Sequence, residues 1–189
     1  MKRTIVSAVV AAVVFAAPVG ASAEIVKTAM LDNPKCAGLC LRWWPKVTPP
    51  PKWEQDTRLS QAYNVAFLVP EDGREDVFIY ANAQPLKGQS ATVAGFMADD
   101  QATFERAHPG LKVRPGADYV TADGQVLQSR IFDAGPQEAN GHWEIVAYGE
   151  EADSDNVKYY IVFTLSARSQ AVRDEFLPVF QSLLANYRK

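Results

Sequence analysis

Two cysteines, two histidines and four tryptophans are the residues of this 189-residue chain with the most distinctive chemistry, and their spacing limits what they can do. Cys36 and Cys40 bracket Ala37, Gly38 and Leu39. In an oxidising compartment two cysteines this close, with a glycine between them, read as a local disulfide. The loop it would close is small, so the chain-entropy model allows only about 2 kcal/mol from it. Thiol oxidoreductases favour two intervening residues rather than three, and no helix start is evident here to stabilise a thiolate. A c-type haem site needs His directly after the second cysteine, where Leu41 stands.

The ionisable residues give little support to catalysis. His108 precedes Pro109-Gly110 and reads as a surface residue ending a helix, where a partial positive charge suits the helix C-terminus. His142, between Gly141 and Trp143, reads as the start of a strand. Neither histidine has a spacing that would recruit the cysteines to zinc. Asp99 and Asp100 are neighbours on a predicted helix and point to different parts of its surface, poor geometry for shared acid and base work. The segment Glu150-Glu-Ala-Asp-Ser-Asp-Asn156 carries four carboxylates, but it lacks the ligand order, turn glycine and closing Glu of a calcium loop and reads as a solvated hairpin tip. There is no Gly-x-Ser-x-Gly, no His-Glu-x-x-His and no glycine-rich phosphate loop. No catalytic residue, metal site or cofactor site is therefore expected.

Trp43, Trp44 and Trp53 flank a proline-rich strap, Val47-Thr-Pro-Pro-Pro-Lys-Trp53, and form the strongest candidate binding surface. Three successive prolines fix φ and remove donors, which favours an extended polyproline geometry. Adjacent tryptophans on an extended segment point to opposite sides, so one can pack inward while the other stays exposed. An exposed indole beside a rigid strap could stack on a sugar ring or anchor a partner protein, whereas burial under the strap would make all three structural.

These residues lie behind a leader. Lys2 and Arg3, the apolar run Ile5 to Ala17, and Pro18-Val-Gly-Ala-Ser-Ala23 have the layout of a secretory signal peptide cleaved near Ala23. No cysteine starts the mature chain, as a lipoprotein would require, no anchoring tail is expected after Lys189, and a soluble periplasmic or secreted protein is expected. The mature 166 residues keep seventeen of the nineteen basic groups against twenty-two acidic ones, a net charge of −5. That acidic balance disfavours nucleic acid and anionic membrane surfaces as partners. A domain of this size buries roughly 70% of its unfolded surface and can hold a core without metals.

Three regions are expected: the leader (1–23), an irregular segment with the cysteine turn and strap (24–52), and one folded domain (53–189). Within the irregular segment a short strand is predicted over Leu39 to Trp44. Alternation and turn residues predict strands over Val65–Val69, Val77–Asn82, Asp118–Ala122, Gln125–Phe132, Trp143–Tyr148 and Val157–Leu165, with Asp123-Gly124 as a hairpin signal. A helix capped by Ser90 is predicted to about Ala107 and a second from Ser169 to Tyr187, kinked at Pro178.

The order of Lys52-Trp53, Asn64-Val-Ala-Phe-Leu-Val-Pro70, Val77-Phe-Ile-Tyr80, a helix, Trp143-Glu-Ile-Val-Ala-Tyr148, Tyr159-Tyr-Ile-Val-Phe163 and a closing helix with Phe176, Phe180 and Leu183 resembles the PsbP/DcrB-like superfamily over residues 50–189. The resemblance implies an α+β fold, a single α/β/α sandwich with a largely antiparallel sheet, acting as a non-catalytic binding or assembly module. It carries over no catalytic residues, and the Cys36–Trp44 segment precedes the region of likeness. The expected function is an envelope module engaging a protein partner. A carbohydrate or small-ligand binder using Trp43, Trp44 and Trp53 is the alternative, and a hydrolase the third reading.

Overall fold

The strand Lys158–Ala167 reads KYYIVFTLSA, apolar on both alternating sets of positions, which suits only a strand covered on both faces. In the computed structural model it lies inside the sheet and is buried from Tyr159 to Ala167. The structure describes residues 25–30, 40–86, 92–133 and 143–188.

In chain order the elements are β1 (Ile25–Met30), β2 (Cys40–Pro45), β3 (Trp53–Gln55), α1 (Thr57–Tyr63), β4 (Ala66–Pro70), β5 (Val77–Pro85), α2 (Val93–Ala107), β6 (Lys112–Pro115), β7 (Tyr119–Val120), β8 (Val126–Asp133), β9 (Trp143–Ala152), β10 (Lys158–Ala167) and α3 (Gln170–Asn186). The fold is mixed α+β: a largely antiparallel open sheet of ten strands with three helices. Its main path runs β1-β2-β5-β10-β9-β8-β6, while β4 also borders β5, β3 borders β4 and β7 borders β8.

Strand periodicity divides the apolar residues between two cores. Ile79, Ala81 and Ala83 of β5, Ile145 and Ala147 of β9, and Ile161, Phe163 and Leu165 of β10 meet Phe180, Leu183 and Leu184 of α3. The opposite set, Val146, Tyr148 and Val162, meets Met97, Val93, Phe96 and Phe104 of α2. Thus α2 and α3 lie on opposite faces of the sheet.

Several boundaries differ from expectation for local reasons. In the segment expected to be irregular, the short strand predicted over Leu39 to Trp44 is present as β2, and an unexpected β1 forms an antiparallel pair with it, joined to β5 through Trp43 opposite Ala83. Its pairing is supplied by residues distant in the chain, which local pattern does not display. The cap of α2 is Thr92, whose hydroxyl accepts from Gly95 N at 3.1 Å, two residues after the expected Ser90. Helix α1 was not expected. Asp56 caps it by accepting from Leu59 N at 2.8 Å, and Asn64 ends it in the left-handed region at φ 59°. Helix α3 begins at Gln170 with Ser169 as its cap and continues through Pro178, whose side chain faces solvent.

Candidate functional site

Strand β5 turns Phe78, Tyr80, Asn82 and Gln84 away from the α3 core. Along one edge its partner changes. β4 pairs with it at Ile79, Tyr80 and Ala81, and β2 pairs with it at Ala83. Asn82 falls between these two ladders. The end of α1 meets the same point, so the left-handed Asn64 and the following Val65 wall a cleft of about 500 Å³ with Arg42, Trp43, Tyr63, Asn82, Ala83, Gln84 and Pro85.

Three polar atoms in this cleft are buried without a hydrogen-bond partner among the described residues: Arg42 Nε, Asn64 Oδ1 and Asn82 Oδ1. Leaving such an atom unmade costs about 1–3 kcal/mol, so water or a polar ligand that drew these side chains toward the cleft would recover that cost. The set offers one cationic donor and two amide groups beside an indole. None of its lining residues is a carboxylate, histidine, serine or cysteine.

Tyr63 and Val65 also line a second, neighbouring cavity of about 640 Å³, completed by Leu59, Phe67, Phe78, Tyr80, Phe104 and Glu144. Its aromatic rings are ordered against one another. Tyr63 lies parallel to Phe67 at 5.7 Å, and Phe67 lies parallel to Phe78 at 4.9 Å. Glu144 is only 4% exposed. Burial raises its carboxyl to about 7; the Ser166 hydroxyl opposes the shift, the Asp100 charge adds to it and His108 opposes it. Asp100 is itself raised by burial, although it accepts from the Tyr148 hydroxyl at 2.6 Å.

The tryptophans are placed differently from one another. Trp53 is 5% exposed and packs edge-on against Phe176 at 5.7 Å, so it belongs to the core. Trp43 and Trp44 are both half-buried against that core, between the exposed and the buried alternatives open to the pair. Trp43 alone of the three lines the polar cleft. Cys36 lies outside the described residues, as do the side chain of Cys40 and all of His142. His108 caps α2 as expected of a helix-ending residue, but it is half-buried, 6.4 Å from the Phe104 ring.

The acidic loop is committed to internal contacts. Asp153 accepts from Lys27 Nζ at 2.8 Å, Tyr159 Oη at 2.9 Å and Val157 N at 2.9 Å, and Lys27 with these hydrogen bonds holds its carboxyl down at about 2. Glu150 pairs with Lys158 at 2.8 Å, and buried Glu151 accepts from the Tyr187 hydroxyl. Among the described residues no group of three or more His, Cys, Asp or Glu side chains is disposed to hold a metal ion. No helix among them is long and apolar enough to cross a membrane.

Arg42, Asn64, Asn82 and Glu144 are the residues that sequence reasoning missed. Two carried a signal. Asn82 continues the alternation of Phe78 and Tyr80, and Glu144 is a lone carboxylate in the otherwise apolar run Trp143–Tyr148. Comparison of the chain with protein-family models and with curated protein sequences finds no match to either.

Proposed function

We propose that this protein is an exported, non-enzymatic ligand-binding module of the cell envelope with a PsbP/DcrB-like α/β/α sandwich. Its ligand is a small hydroxyl-rich ring of the carbohydrate class, held beside Trp43. The observation that carries this reading is the grouping of Arg42, Asn64 and Asn82, each with a buried polar atom left without a hydrogen bond, around a cleft lined by that indole. Sugar hydroxyls donate to amide oxygens and accept from a guanidinium, while the C–H face of the ring packs on an aromatic plane. A lining without carboxylate, histidine, serine or cysteine favours binding over hydrolysis. Export is supported by the leader Lys2 to Ala23, and the sandwich by the placement of α2 and α3 on opposite sheet faces.

The test is titration of the mature protein with a panel of neutral and acidic mono- and disaccharides, followed by calorimetry. A sugar that binds should lose about tenfold in affinity on Asn82→Ala or Trp43→Phe, in line with removal of one hydrogen bond or part of a stacking surface. No binding across the panel, with an envelope protein cross-linked from position 43 in cells, would replace this reading with that of a protein-partner module.

A further inference from the structure

Of the buried groups that the polar cleft does not use, Glu144 is the most exceptional. Its Oε2 has no hydrogen-bond partner among the described residues, although the side chain is 96% removed from water and lines a cavity. The oxygen itself is sealed from solvent, so a guest meets it only once the Glu144 side chain turns toward the cavity it lines. The rest of the wall is Leu59, Val65 and the rings of Tyr63, Phe67, Phe78, Tyr80 and Phe104. It therefore carries a single carboxyl, no cation, and five aromatic residues. Ring faces are negative in their quadrupole, so aromatic walls attract a cation electrostatically while they desolvate its carbon skeleton. A carboxylate at the floor adds a charge-assisted acceptor for an N–H group. The volume of about 640 Å³ admits a drug-sized molecule.

We propose that this groove, between α1 and α2, binds an organic ammonium ion whose N–H donates to the Glu144 carboxylate, turned toward the groove on binding, and whose apolar body lies against Tyr63, Phe67, Phe78 and Phe104. The site is separate from the polar cleft in its charge and lining, and the proposal stands or falls without the carbohydrate reading. An uncharged apolar guest would leave the Glu144 oxygen unanswered, and an anion would face an acidic, cation-free wall. Both alternatives are worse served by the same residues.

Other groups shape the pH response. Asp100 and His108 of α2, Tyr80 of β5 and Tyr148 of β9 are the titratable groups facing Glu144, with the Ser166 hydroxyl of β10 bonded to it. Asp100 opposes ionisation of Glu144 and His108 favours it. A guest cation acts in the same sense as His108 and draws Glu144 into its charged form.

The probes are 2-phenylethylammonium, its trimethylammonium counterpart and 2-phenylethanol, titrated into the mature protein at pH 8 and pH 5.5. Calorimetry gives affinity, and the ring resonances of Phe67 and Phe78 report the place of binding. The primary ammonium should bind about tenfold more tightly than the alcohol at pH 8, as a charge-assisted bond to a buried carboxylate requires, and the trimethyl form should fall between them. That preference should shrink at pH 5.5, where Glu144 is protonated. Glu144→Gln should erase it while leaving alcohol binding unchanged. Equal affinity for ammonium and alcohol, an unaltered preference in Glu144→Gln, or binding that leaves the Phe67 and Phe78 resonances in place would each overturn the proposal. So would the absence of binding by all three probes.

Discussion

Strand β9 carries two buried glutamates seven positions apart, one on each face of the sheet, and their surroundings separate the two sides of this molecule. Glu151, on the α3 side, is 2% exposed and accepts from the hydroxyl of Tyr187, the residue that caps α3. Glu144, on the α2 side, is nearly as buried and is bonded to the Ser166 hydroxyl, yet it lines a cavity. The α3 side is filled by Phe163, Phe180, Leu183 and Leu184 and closed by an internal hydrogen bond. On the other side α1 and α2 leave a gap over β5, and the polar atoms there are left without internal partners. Both sides exclude water from a carboxyl and give it one hydroxyl donor, Tyr187 to Glu151 and Ser166 to Glu144, but only Glu144 also lines a cavity. We read the first side as the stabilising core and the second as the binding face.

The largest expected effect lies on the core side. Phe180→Ala, at a fully buried position, should cost about 3–5 kcal/mol in urea denaturation. Phe104→Ala, on the wall of the open groove, should cost less than about half of that, because water can occupy the space left behind. Equal costs would dissolve the distinction between a packed and an open face.

Glu144 gives the next effect, in pH dependence. Its carboxyl sits at about 7 in the fold against an ordinary 4.5, so between these values the native state binds the extra proton. The Glu144 contribution to stability is most favourable below about pH 4.5, declines as pH rises to about 7, and is constant above. The total decline is on the order of 3 kcal/mol. Glu144→Gln should remove this slope and leave the variant more stable than the natural chain at pH 8. Parallel stability curves for the two proteins between pH 5 and pH 8 would show that Glu144 is not held in its neutral form. Gain of stability with loss of ammonium binding is the pattern expected of a binding group.

Tyr187→Phe should have the smallest effect, about 1–2 kcal/mol, from withdrawal of one donor from buried Glu151. It should leave binding at the groove unchanged, since the two carboxyls lie on opposite faces. A change in ligand affinity in this variant would connect faces that the packing keeps apart.

Much of the framework was legible in the sequence. The alternation in Val77–Asn82, the apolar run in Val157–Leu165, the Asp123-Gly124 turn and the Ser169 cap all act within a few residues of themselves. The elements they specify appear within a few positions of where they were expected. Helix α1 escaped notice because seven residues hold too few turns to display a period, and only its caps, Asp56 and Asn64, announce it. Strand β1 escaped because its identity depends on β2, across the cysteine segment.

The site was less legible, and the reason is geometric. Three tryptophans near a strap resemble a surface in one dimension, but Trp53 turns into the core beside Phe176, contributed by a helix more than a hundred residues away. Sequence alone determined the alternating faces, the helix caps, the acidic charge and the leader pattern, because each follows from short-range sterics or from composition. Only the tertiary structure decided that β4 and β2 would share one edge of β5 and leave Asn82 between them. It alone also decided that Arg42, Asn64 and Asn82 would meet there and that Glu144 would face a groove. Each of those outcomes depends on which distant segment supplies, or withholds, a hydrogen-bond partner, and no local pattern records that.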